Sequence, residues 1–147
     1  MRRYVILAGG AALALALLTG CSGQSGSSSN GSVPTTDELV GTWVVDETFD
    51  VETQPYLTIE DGGGWTASDG CNTVTGTWEL ATDGSLTTTA GPSTLIYCDG
   101  KPLPTLMANA KSVALDGETL ELKDASGSIA VALIPGSSPT PTPTPAG

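Results

Sequence analysis

Three cysteines hold most of the reactive chemistry in this chain of 147 residues, and their positions give them different fates. Cys21 closes the run Leu18-Thr19-Gly20-Cys21, which ends an apolar stretch from Val5 to Leu18 that follows Met1-Arg2-Arg3. A charged opening, an apolar stretch and a small-residue cleavage site make a secretory signal, and a Cys directly after Thr-Gly supplies the thiol for diacylglycerol attachment. The competing reading is an uncleaved membrane anchor, which needs roughly 20 mostly apolar residues. The run here is shorter and carries Gly9-Gly10, so residues 1–20 are expected to be removed and Cys21 lipidated. Arg2-Arg3 is read as ordinary n-region charge. The expected location is extracytoplasmic, on the cell membrane, with two acyl chains at ~0.8 kcal/mol per buried methylene sufficing where one is marginal.

Lipidation of Cys21 leaves an even pair, Cys71 and Cys98, in an exported chain. Thiols outside the cytoplasm tend to pair, so a Cys71–Cys98 disulfide is the expected state. Closing the loop between them would restrict the unfolded chain by roughly 3.5 kcal/mol on the chain-entropy account. Free buried thiols and a metal site are the alternatives, the metal being short of ligands because the chain has no His.

Acid–base chemistry is thinly provided. Absence of His removes the commonest general base and nucleophile partner, and no Ser-x-x-Lys motif occurs. Asp46, Glu47, Asp50 and Glu52 form an acidic run that could offer oxygen ligands to Ca²⁺, yet no EF-hand spacing is present and such runs are usually solvated. Asp61-Gly62-Gly63-Gly64 lacks the Lys and the helix of a phosphate-binding loop and reads as a hairpin turn. A hydrolase built on carboxylates would need two acids facing each other in a cleft, one with a raised pKa. No pair suggests itself, so no catalytic residue, metal or cofactor is assigned and no enzymatic activity is expected.

Charge narrows the partners. After removal of the signal only Lys101, Lys111 and Lys123 remain against sixteen acidic residues. Such a field repels polyanions, which excludes nucleic acid and disfavours direct attraction to an anionic membrane surface.

The elements that must position these residues lie between two ends with little to bury. Residues 21–36 read as the lipidated Cys and a Ser/Gly tether with a reach of roughly 20 Å. Residues 136–147 form a Pro/Thr-rich tail suited to extended polyproline II, whose threonines are either glycan acceptors or part of a plain spacer. In between, 37–135 shows short β-branched and aromatic runs broken by Gly, Asp and Pro, an all-β pattern. Strands are predicted at Thr42–Glu47, Tyr56–Glu60, Gly64–Ser68, Thr73–Leu80, Ser85–Ala90, Thr94–Cys98, Val113–Leu115, Thr119–Lys123 and Ile129–Ile134. Asp61-Gly62, Asp83-Gly84 and Asp116-Gly117 mark hairpins. One helix is predicted at Leu103–Lys111, where Leu103, Leu106, Met107 and Ala110 share a face. Many short antiparallel strands with one short helix fit a small closed or nearly closed β-barrel, since closure hides aggregation-prone edges.

Gly70-Cys71-Asn72 has two readings. Gly70 and Asn72 tolerate positive φ, so the trio can turn or bulge the chain while aiming Cys71 inward. Alternatively the Asn72 amide sits at a barrel mouth and contacts a ligand or partner. Trp43 and Trp78 lie within strand patterns and read as core, whereas Trp65 follows a Gly run and reads as more exposed, a second candidate contact residue.

In sequence the middle of the chain resembles the META or HslJ-like domain found in bacterial envelope lipoproteins. The resemblance rests on an ordered set: Gly41-Thr42-Trp43, Tyr56-Leu57-Thr58-Ile59-Glu60, Gly70-Cys71-Asn72 with Gly76-Thr77-Trp78, Ser93-Thr94 leading to Cys98, and the closing Leu120-Glu121-Leu122-Lys123-Asp124-Ala125-Ser126-Gly127. Relatives often carry Thr-Arg-Met-Ala-Cys where this chain has Thr94-Leu95-Ile96-Tyr97-Cys98. The resemblance implies a lipocalin-like barrel associated with envelope stress or maintenance, with no general catalytic activity.

Two functions follow as expectations. The first is a membrane-anchored interaction module that meets another envelope protein through its surface or loops. The second is a small-ligand carrier, which needs a hollow interior; Trp43, Tyr56, Trp78 and Tyr97 are large enough to fill so small a barrel.

Overall fold

Alternation of apolar and polar residues dictates most of the architecture. The computed structural model describes residues 31–139. The expectations for Cys21, the signal, most of the tether and the end of the tail lie outside the described residues.

Eight strands form one antiparallel sheet: β1 (Gly41–Val44), β2 (Tyr56–Ile59), β3 (Gly64–Ser68), β4 (Thr73–Leu80), β5 (Leu86–Ala90), β6 (Ser112–Asp116), β7 (Thr119–Lys123) and β8 (Ile129–Pro135). Their spatial order is β5-β4-β3-β2-β1-β8-β7-β6. The sheet curls until its outer strands touch at one end, where Leu86 N–H donates to Lys111 O (2.9 Å) and Val113 N–H to Gly84 O (3.0 Å). This is the nearly closed small barrel expected of so many short strands. The three Asp-Gly sites all turn the chain between paired neighbours, with Gly62, Gly84 and Gly117 in the left-handed region that these tight turns demand.

In β4 the pattern is plainest: Val74 and Trp78 point inward and are buried, while Thr73, Thr75 and Thr77 face solvent. Leu57, Ile59, Trp65, Leu120, Leu122 and Leu133 complete the core from the other strands, each almost fully buried. The predicted helix is α2 (Leu103–Asn109), with Pro104 in its first turn and Leu103 and Met107 fully buried against β2 to β5. Thr88 ties the β5 edge to it by donating its hydroxyl proton to Ala108 O (2.9 Å).

Several expectations are corrected. A single-turn helix, α1 (Thr36–Leu39), precedes β1, stabilised by the Glu38 carboxylate, which accepts from Thr35 N–H (2.7 Å) and the Thr35 hydroxyl (2.9 Å). The folded part also begins before residue 37, since Ser32 and Leu115 exchange backbone hydrogen bonds along β6. It runs past 135, where Gly136 N–H bonds Thr42 O and the Ser138 hydroxyl meets Thr42 and Thr58.

The predicted strand Thr94–Cys98 is not part of any sheet. Gly91 N–H makes the last ladder bond, to Thr75 O, and Pro92 then has no N–H with which to continue it. Tyr97 consequently lies 86 % exposed instead of filling the barrel, and Tyr56 sits half-buried on the outer face. The interior is filled by Trp43, Trp65 and Trp78 with the aliphatic residues named above.

Candidate functional site

A short polar turn organises the most unusual surface of the molecule. Between β3 and β4, Asp69 Oδ1 accepts from Cys71 N–H (2.9 Å) and Asn72 N–H (2.6 Å), and Asp69 Oδ2 accepts from Asn72 Nδ2 (2.9 Å). Burial alone would raise the Asp69 pKa, but these N–H donors outweigh it and hold the carboxyl below its ordinary value. Gly70 makes the turn feasible: its φ is +105°, and a Cβ there would come within 2.8 Å of Thr53 O and the Val51 side chain.

The turn presents Asn72 to the crossing chain. Asn72 Oδ1 accepts from Ile96 N–H (2.8 Å) and Asn72 Nδ2 donates to Ile96 O (2.7 Å). Thr94 Oγ1 adds a long contact to Oδ1 (3.5 Å). Asn72 is buried, and the protein's own groups occupy its whole amide. Of the two sequence readings, the structure gives Asn72 a structural part: it lies beneath the Thr94–Cys98 segment and shapes it, with no part of its amide left over for a ligand.

Cys71 and Cys98 are joined as a disulfide with Cα atoms 5.9 Å apart, which fixes the far end of the same segment. Cys98 Sγ also lies 3.4 Å from Asp69 O. Asp69 and the two sulfurs cluster as metal ligands would, but both sulfurs are engaged in the S–S bond and neither is a thiolate. Asp46, Glu47, Asp50 and Glu52 are exposed, and among the described residues their carboxylates form no group of three within 4.8 Å.

Clamped by Asn72 and the disulfide, Leu95, Ile96 and Tyr97 project into solvent at 95 %, 62 % and 86 % exposure. Three consecutive large apolar residues displayed in this way are costly unless something covers them. The Tyr97 hydroxyl donates to Asp99 Oδ1 (2.7 Å), which orients the ring and raises its pKa, the hydrogen bond first and the negative charge second. Beside the segment lies a groove of about 220 Å³ lined by Asn72, Val74, Ala90, Leu95, Pro104 and Ala108.

Trp65, the other candidate contact residue, is buried at 1 % exposure, which corrects the expectation of exposure. It pairs across the sheet with Gly76, whose missing side chain leaves room for the indole, and its Nε1 donates to Thr77 O and Thr89 O (3.0 Å each). Trp43 and Trp78 are core, as their strand positions implied. Sequence reasoning missed Asp69 as the organiser of the turn and the exposure of Leu95 to Tyr97; Pro92 was the signal that could have removed that stretch from the sheet.

Among the described residues no helix is long and apolar enough to cross a membrane. No curated protein and no solved structure shows a match to the chain. A family model, that of the META domain, matches residues 36–133.

Proposed function

This chain belongs to the META domain family, and we propose that in this member the domain is a non-enzymatic interaction module of the cell envelope. In this reading the signal in residues 1–20 directs export, a lipidated Cys21 anchors the chain, and the tether carries the domain away from the membrane to meet another envelope protein. The observation that carries the reading is the solvent-facing run Leu95-Ile96-Tyr97, held in place by Asn72 and the Cys71–Cys98 disulfide. A fixed apolar display loses little conformational entropy on binding, which is the physical advantage of a clamped contact loop.

Two features favour this role over that of a small-ligand carrier. Three tryptophans and the aliphatic core occupy the inward face of the sheet. The groove beside Leu95, at about 220 Å³, is smaller than the roughly 300–1,000 Å³ of small-molecule sites, and a hollow of about 360 Å³ bordered by Val45, Asp46, Lys101 and Val131 reaches that size only as an open surface depression.

Photo-crosslinking in intact cells tests the proposal. A photoreactive residue at Leu95 is expected to give a discrete protein adduct, and the same residue at Thr87, exposed on the outer face of β5, is expected to give none. Absence of an adduct at Leu95, or equal labelling from both positions, would overturn the reading.

A further inference from the structure

Asn72 grips one side of Ile96, and peptide geometry fixes what the other side offers. An amide that binds both the N–H and the C=O of a single residue requires those two groups to point the same way, as they do in an extended strand and do not in a helix. The Ile96 N–H belongs to the 95–96 peptide and the Ile96 C=O to the 96–97 peptide. Each trans peptide is planar with its N–H and C=O opposed. The Leu95 C=O and the Tyr97 N–H therefore point away from Asn72, toward solvent. Among the described residues neither group has a hydrogen-bond partner.

We infer that Leu95-Ile96-Tyr97 is a ready-made strand edge that receives an extended segment of a partner protein by β-strand addition. The inference rests on the interaction-module reading and specifies its mode: the acceptor at Leu95 and the donor at Tyr97 are spaced to bond one residue of a parallel incoming strand, or the two residues that flank the one opposite Ile96 in an antiparallel strand, as a sheet edge does. Natural sheets blunt such edges with charge, Pro or a bulge. Here the edge carries Leu95 and Tyr97 at 95 % and 86 % exposure, with the charged Asp99 drawn into a bond with the Tyr97 hydroxyl. The partner segment is extended, free of Pro at its paired residues, rich in apolar side chains and neutral or basic. The last property follows from a chain net charge of −11, which repels an acidic segment and a second copy of this chain alike.

The test uses the exported full chain, isotopically labelled, and a phage-displayed library of random twelve-residue peptides. Selected peptides are expected to alternate apolar and polar or basic residues. Binding should slow hydrogen exchange at the Tyr97 amide at least tenfold, and Tyr97→Pro, which removes that donor, should weaken binding at least tenfold. Because Tyr97→Pro could perturb the loop itself, exchange at Tyr97 in the unsubstituted chain is decisive. Peptides that bind at Leu95 and leave Tyr97 exchange unchanged would overturn the strand-addition mode while leaving the interaction surface intact. A concentration-dependent dimer of the chain that protects Tyr97 would overturn the assignment to a foreign segment. Failure of the surface itself is read separately, from the crosslinking at Leu95.

Discussion

The side-chain amide of Asn72 holds the backbone of Ile96 at both of its polar groups, at 2.8 Å from Oδ1 to N and 2.7 Å from Nδ2 to O. A single side chain thereby takes the place of a neighbouring strand at Ile96, in a segment that joins no sheet. Asn72→Ala removes these bonds and leaves Asp69 and Ile96 with unpaired groups, one of them charged. A loss of about 1–2 kcal/mol is expected in denaturant unfolding, because an abandoned buried polar group costs about 1–3 kcal/mol and here Asp69 is half-buried and Ile96 exposed. Asn72→Asp should be at least as damaging, because it sets a carboxylate against Asp69 Oδ2 and Ile96 O.

The disulfide anchors the segment's other end and also restrains the unfolded chain. Cys71→Ser with Cys98→Ser is expected to cost roughly 3 kcal/mol, in line with the loop it releases. Thermal unfolding with and without reductant measures this. Retention of the full melting temperature on reduction would show that Asn72 and the core suffice.

Acid should weaken the same turn. The folded Asp69 carboxyl lies below its ordinary value of 3.8, so the folded state binds a proton less readily than the unfolded state. Its contribution is complete above the unfolded value and is lost as pH falls through the lower, folded one. Stability should therefore decline below about pH 4, the ordinary carboxylate range. Glu38, Asp83 and Asp124 are also lowered and share this limb. Asp69→Asn should flatten the decline while lowering stability near neutrality, which a series of unfolding curves across pH would reveal.

Gly76 is a packing requirement. A Cβ at this position would sit 2.6 Å from the Trp65 ring and clash with Thr89 O. Gly76→Ala should destabilise by about 1–3 kcal/mol or more through overpacking, and Trp65 fluorescence should shift as the indole is displaced.

Much of this was legible from residue types because local chemistry dictates it. The Asp-Gly turns demand positive φ, the alternation in β4 has only one buried face, and Cys71 and Cys98, in a chain read from its sequence as exported, are expected to pair as they do. Features that depend on what lies across the sheet were not legible. Trp65 looks exposed after its glycines until Gly76 is seen opposite it. Thr94–Cys98 has the composition of a strand, and composition does not reveal that the Asn72 side chain and the disulfide hold it in place of a neighbouring strand. The early start of the fold at Ser32 likewise depends on a distant residue, Leu115.

Amide hydrogen exchange across Leu95–Cys98 in the free, oxidised chain addresses the central claim most directly. The Ile96 amide, bonded to Asn72, should exchange slowly and the adjacent Tyr97 amide rapidly, with Asn72→Ala removing the difference. Equal and rapid exchange at both amides would mean that no clamped edge exists, and protection of Tyr97 in the free chain would mean that the edge is already taken.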